Sequence, residues 1–372
     1  MNTTVTQYGP HNQGLFILNP SDPTWERQHG PANLDVVAVH GLNGERIRSW
    51  TRKDPETNEE TLWLRDMLPQ EMPRVRAMTF GYNASVVGNT SVNGIRDNAR
   101  SLLEALRLLR DNDGSKGRPI VFLGHSLGGI IIKQALCTAN IEQRKFGDIL
   151  TSTRGIVFFG TPHRGTDAAV WGEMVARIKF AAFGKRELND WFRVLRPDQK
   201  DLVNVSEDFR PLATRFAISS FYEENAYPNL KKVIVEKKSA ILEMTHEDYC
   251  AMPGHHSSIV KFSKKAEDQQ RFTLAWRAIE RVAKGPDRST TAEFRAVYRE
   301  VPETTSGRYA EPRWEPVEVA GRIEAPNGFG KAQLGYSWKG AQNTWDKAQE
   351  REKVTTRGRR WEEGEGERRR DW

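Results

Sequence analysis

"PIVFLGHSLGGIIIKQAL", residues 119–136, makes three structural statements in one line. An apolar run at 120–123 has the length and side chains of a buried strand, and a second apolar run begins at Ile130 with the look of a helix. Between them stand Gly124, Gly128 and Gly129 around a single serine, Ser126. This is the order that a G-x-S-x-G turn requires. The passage from strand to helix is so sharp that side chains on the flanking residues would collide, and the serine is left exposed at the edge of the sheet. The next amide, that of Leu127, then lies at a helix N-terminus, where unpaired N–H groups and the helix dipole favour an oxyanion. A phosphate-cradling loop is excluded, because no Lys-Ser/Thr follows the glycines.

Working outward, "GLFILNP" (14–20), "LDVVAV" (34–39) and "RVRAMTFGY" (74–82) read as strands, the second as one buried on both faces. "EETLWLRDMLP" (59–69) reads as a short amphipathic helix stopped by Pro69. In residues 92–113 the spacing of Ile95, Ala99, Leu102, Leu106 and Leu109 predicts a long amphipathic helix. Beyond the serine, "RGIVFFG" (154–160), "RFAISSFYE" (215–223) and "KKVIVE" (231–236) supply further strands, with Cys250 in a loop, and "FTLAWRAIERVAK" (272–284) a last helix. Strands alternating with helices predict an α/β-hydrolase fold: a mainly parallel central sheet flanked by helices. Residues 166–212 interrupt the alternation with a helical, aromatic-rich stretch, expected to form a cap. No internal repeat stands out.

The chain has 372 residues, 37% hydrophobic and 28% charged, which is polar for a single compact enzyme. The excess is localised. Residues 1–285 carry the hydrolase-like pattern, whereas 286–372 have few aliphatic residues and no sustained period, and are expected to be a disordered, low-complexity tail. That tail ends "RGRRWEEGEGERRRDW", so the formal net charge of +7 is not one basic face and no nucleic-acid partner is expected. Two cysteines, Cys137 and Cys250, offer neither a disulfide framework nor a metal cluster. No secretory leader is visible, and no apolar run approaches the ~18 residues of a membrane span. The expectation is an intracellular protein that needs no metal or cofactor.

A serine nucleophile needs a base, an acid and a second oxyanion donor. The donor is expected from the loop "AVHGLNG" (38–44), through the amide of Leu42 or Gly41, with His40 tucked in as a brace. The order serine, acid, histidine requires a base late in the chain. His246, His255 and His256 qualify by position; "MPGHHSSIVKF" favours His256, with His255 as the alternative base. The acid that orients the imidazole should end the strand before the last one. Glu223 meets that description; Glu236, at the end of the run 231–236, is the alternative acid, while Glu224 and Asp248 read as surface charges.

Taken in order, "VHGLNG", "LWLRDMLP", "FGYNA", "GHSLGG", "FFGTPHRGT", "FYE", "EKKSAIL" and "HHSSIVKF" resemble the serine active-site-containing protein family. They also resemble the lipase/esterase domain that opens many fungal NACHT and NB-ARC receptor-like proteins. The similarity runs from about residue 14 to 284. It implies an α/β-hydrolase acting on carboxylic esters of lipid or acyl substrates, with the family's serine, histidine and acid falling on Ser126, His256 and Glu223. For some members it implies phospholipid metabolism and peripheral contact with mitochondrial or endoplasmic reticulum membranes from the cytoplasm. The alternative implied is a hydrolase-fold adaptor module of a receptor-like protein, with incidental or partner-gated activity.

The residue before the family's histidine is commonly Asp and here is His255. In "TPHRGT", His163 and Arg164 stand where they could line a pocket, the plainer reading of His163 being structural. Trp171, Phe180, Phe183 and Trp191 in the cap would wall an acyl pocket or form the cap's own core. "APNGFGKAQLGYSW" has Ala325 and Ala332 at two determining positions of a phosphate loop, so no nucleotide binding is expected.

Overall fold

In the computed structural model, residues 7–8, 13–18, 23–84, 92–163, 168–183, 200–228 and 230–286 are described. The continuous apolar runs of the sequence become the centre of one sheet. Its strands are β1 Gln7–Tyr8, β2 Gly14–Ile17, β3 Leu34–Val39, β4 Val75–Gly81, β5 Ile120–His125, β6 Thr153–Phe159, β7 Ala217–Glu223 and β8 Glu247–Met252. They lie in the order β1-β2-β4-β3-β5-β6-β7-β8. From β3 to β8 every neighbouring pair is parallel; β2 runs antiparallel to β4, and β1 to β2. This is the α/β-hydrolase arrangement. Residues 34–39 and 120–125 are buried throughout, as strands covered on both faces must be.

Helices close both faces. On one side pack α1 Val92–Asn112, α2 Leu127–Ile141 and α3 Gln143–Ser152, with Ile95, Ala99, Leu102, Leu106 and Leu109 of α1 all in the buried cluster. The cap contributes α4 Ala168–Phe183 and α5 Lys200–Ala213 to this side, through Met174, Ile178, Val205 and Phe209. On the other side α6 Ala266–Ala283 packs with Trp50, Trp63 and Phe262. Residues 164–167 and 184–199, of which 166–167 and 184–199 belong to the expected cap, and the tail from 287 on lie outside the described residues.

Two expectations need correcting. Residues 231–236 form no strand beyond a single bridge between Tyr227 and Lys232. Lys231 takes a left-handed φ of 51°, and Ile234 and Val235 are buried by packing in the core rather than by a ladder. The edge position belongs instead to β8, so Cys250 stands on a strand, paired with Phe221 of β7. Pro69 does not end a helix. It sits in the first turn of the short helix Leu68–Glu71, where its missing N–H costs nothing, just after the helix Trp63–Asp66. Residues 60–62 pair with Thr51–Lys53 in a separate two-stranded ribbon.

Candidate active site

Ser126 joins β5 to α2 with φ 51° and ψ −122°, a conformation that a non-glycine residue holds only at a cost of about 1–3 kcal/mol. The glycines make that turn sterically possible. A Cβ on Gly124 would stand 2.6 Å from the Cα of Gly129, and one on Gly128 only 2.1 Å from the carbonyl oxygen of Val39. The turn is tied to the neighbouring strand by the Ser126 N–H, which donates to the carbonyl of Phe159 at 2.9 Å. The Ser126 hydroxyl is buried and has no hydrogen-bond partner among the described residues.

Glu223 ends β7, two strands away from Ser126 in the sheet. After β8 the chain turns through Gly254, at φ 128°, into the tight turn 255–258, which buries His256. His256 Nδ1 lies 3.3 Å from Glu223 Oε1. That oxygen also accepts the N–H of Val235 at 2.5 Å. Burial pushes the Glu223 carboxyl up, but the His256 imidazole and the amides of Val235 and Ile234 outweigh it and hold the group below its ordinary value. Both His256 ring nitrogens are buried and neither makes a hydrogen bond among the described residues, like the serine hydroxyl; Nδ1 has only its ion-pair approach to Glu223.

The alternatives lie elsewhere. Glu236 is at the surface and reaches the Arg177 guanidinium at 3.6 Å. His255 is half-buried, with Nδ1 accepting from Ser257 Oγ at 3.2 Å and its ring edge-on to Tyr227. His246 Nε2 is 3.2 Å from the Ala213 carbonyl, Asp248 pairs with Arg281, and Glu224 is exposed.

The loop after β3 passes beside the serine: a Cβ on Gly41 would be 2.8 Å from Ser126 Cβ. Beyond it, the Asn43 N–H donates to Ala84 and the Gly44 N–H to Gly41. Leu42 and Leu127 are both buried, the latter as the first residue of α2, where its N–H has no carbonyl within the helix to meet. His40 braces this loop. Its Nδ1 donates to the Gly41 carbonyl at 3.0 Å, its ring stacks on Tyr82 at 4.3 Å, and the Tyr82 hydroxyl donates to the His40 carbonyl. Burial lowers His40 to about 4, so it is neutral at pH 7.

His125 was given no role by the sequence reading, although it stands inside the motif. Its Nε2 donates to the His256 carbonyl at 2.9 Å and its ring lies 4.9 Å from that of His256. Burial, then the His256 charge, holds it well below the ordinary value, so it fixes the His256 loop as a neutral donor. The one available signal was a polar residue at the buried end of a strand.

His163 is buried edge-on against Phe158, with its N–H on Ser239 and both ring nitrogens unpartnered among the described residues. Phe180 is half-buried; Arg164, Trp191 and the side chains of Trp171 and Phe183 are outside the described residues, as are Ala325 and Ala332. Among the described residues no group of three metal-ligating side chains occurs, and no helix is long and apolar enough to cross a membrane.

Residues 32–186 match the family model described as "Putative serine esterase (DUF676)". The chain is 28% identical over 282 residues to Protein SERAC1 of Danio rerio, covering 71% of this chain and 41% of that protein. It is 25% identical over 214 residues to Protein SERAC1 of Homo sapiens, covering 53% and 31%. The chain thus spans less than half the length of these curated relatives. Among solved structures it is similar to a soluble variant of monoglyceride lipase from Saccharomyces cerevisiae in complex with a substrate analog, at 11% identity and a TM-score of 0.41, covering 76% of this chain and 94% of that one.

Proposed function

We propose that this chain is a serine hydrolase that cleaves carboxylic esters of acyl or lipid substrates. The observation that carries the reading is the His256 imidazole, buried with one nitrogen 3.3 Å from the Glu223 carboxylate, its backbone carbonyl held by His125, the residue before a serine on a strained turn. Glu223, kept ionised, holds the proton on Nδ1 and leaves Nε2 free as a base. As Ser126 Oγ attacks the ester carbonyl carbon, Nε2 takes the hydroxyl proton, and the carbonyl oxygen gathers negative charge against the amides of Leu127 and Leu42. The carbon–oxygen bond to the alcohol then breaks and the imidazolium returns the proton to the departing oxygen. Water repeats the sequence on the acyl-enzyme and frees the acid. No cofactor enters any step.

Met174, Ile178, Val205 and Phe209 of the cap belong to the large buried apolar cluster that also includes Leu42 and Leu127, so the surroundings suit an apolar acyl chain. The esterase family match over 32–186 supports the reaction class. The test is labelling of the purified protein by a fluorophosphonate probe. Wild type is expected to label and Ser126→Ala not to; absence of labelling in wild type would overturn the proposal.

A further inference from the structure

Seven residues beyond the serine on α2, Lys133 is fully buried, with no carboxylate at hydrogen-bond distance among the described residues. Among the described residues its ammonium nitrogen meets Ser206 Oγ on the cap helix α5 at 3.3 Å and the rings of Phe158 and Phe209 at 5.8 and 5.9 Å. His163 lies against the same Phe158 ring, centroid to centroid 4.6 Å, with both nitrogens buried and without a partner among the described residues. Two basic side chains thus flank one aromatic ring in the interior, which is costly unless something polar meets them.

Among the described residues no carboxylate pairs directly with Lys133. The Glu247 carboxylate acts on Lys133 only through space, and its Oε1 is taken by Ser220 Oγ at 2.6 Å and the Leu242 N–H at 3.0 Å. Burial lowers Lys133 to about 7, and burial together with the Lys133 charge lowers His163. Both would regain charge beside an anion.

The cluster adjoins the serine turn, because Phe158 also packs against the first turn of α2: a Cβ on Gly129 would be 2.9 Å from its ring. The rise from residue 126 to 133 is about 10 Å, and helical side chains lean back toward the N-terminus, so the amine points toward the serine end. Resting on the esterase reading above, we propose that Lys133 and His163 form a subsite beneath the cap for a carboxylate carried a few methylenes from the scissile carbonyl. The preferred substrates are then half-esters of dicarboxylic acids.

The experiment compares p-nitrophenyl adipate half-ester with its methyl-capped analogue. Wild type is expected to favour the half-ester by about tenfold or more in kcat/KM, and Lys133→Met to lose that preference. A second arm needs no turnover: monomethyl adipate should raise the thermal midpoint of Ser126→Ala protein but not of the Ser126→Ala, Lys133→Met double variant. If wild type labels with the fluorophosphonate probe yet shows no preference, the subsite is overturned and the hydrolase reading stands. If no ester is cleaved but the midpoint shift and its loss are seen, the subsite stands and the hydrolase reading falls. A shift that survives in the double variant overturns the subsite.

Discussion

Nδ1 of His256 lies 3.3 Å from Oε1 of Glu223, whereas Glu236 turns outward to Arg177. A carboxylate beside Nδ1 fixes the imidazole tautomer, and an amide in its place fixes the wrong one. Glu223→Gln should therefore lower kcat by about 10³-fold or more, while Glu236→Gln changes it by less than about twofold. Hydrolysis of a short p-nitrophenyl ester measures both. Equal losses in the two variants would remove Glu223 from its assigned place.

The glycines predict opposite outcomes at two positions. At Gly128 an added Cβ would lie 2.1 Å from the Val39 carbonyl oxygen, a backbone atom that cannot swing aside. At Gly147, within α3, the nearest atom to an added Cβ is 3.8 Å away. Gly128→Ala should cost more than about 2 kcal/mol and abolish probe labelling, because β3 must part from the serine turn. Gly147→Ala should stabilise by roughly 0.5–1 kcal/mol, the ordinary gain from removing glycine inside a helix. Urea unfolding midpoints at fixed m-value decide both.

What the sequence made legible followed from periodicity and from local turn chemistry. β3 occupies residues 34–39 as expected, because a strand buried on both faces has to be apolar throughout. The serine turn was legible because only glycines fit around it. The edge strand was not. β8 reads "EDYCAM", with Asp248 and Tyr249 exposed, which is the polar pattern of a loop, while the apolar "VIV" at 233–235 draws the strand expected at 231–236 that belongs at 247–252. Of the two acids that spacing left open, only distance separates Glu223 from Glu236, and distance across two strands is not written in any local pattern.

His40 sets an acid limit on stability. Burial holds the folded-state value at about 4, against 6.5 ordinarily. Between those values the unfolded chain binds a proton that the folded one refuses, so stability falls as pH drops from 6.5 toward 4. This residue's share is on the order of 3 kcal/mol. Unfolding free energies at pH 6.5, 5 and 4 should fall less steeply in His40→Asn than in wild type, since an amide can keep the bond to the Gly41 carbonyl without titrating. Parallel slopes in the two proteins would contradict the buried neutral imidazole.

At the opposite end of the sheet from the serine, Asp35 near the start of β3 is fully buried and pairs with Arg76 at 2.7 Å, Arg110 at 2.9 Å and Arg118 at 3.3 Å. Arg110 is itself buried and shares its guanidinium with Asp148 and Ser152. Removing the central carboxylate leaves three guanidinium groups converging on a neutral site, one of them with no route to water. Asp35→Asn should therefore cost about 3–5 kcal/mol of stability, well above an exposed pair's worth. Because the site lies at the carboxyl ends of the strands and Asp35 at an amino end, the fraction that remains folded should label with the fluorophosphonate probe at the wild-type rate. A change in labelling rate without loss of stability would mean that this cluster acts on the serine rather than on the fold.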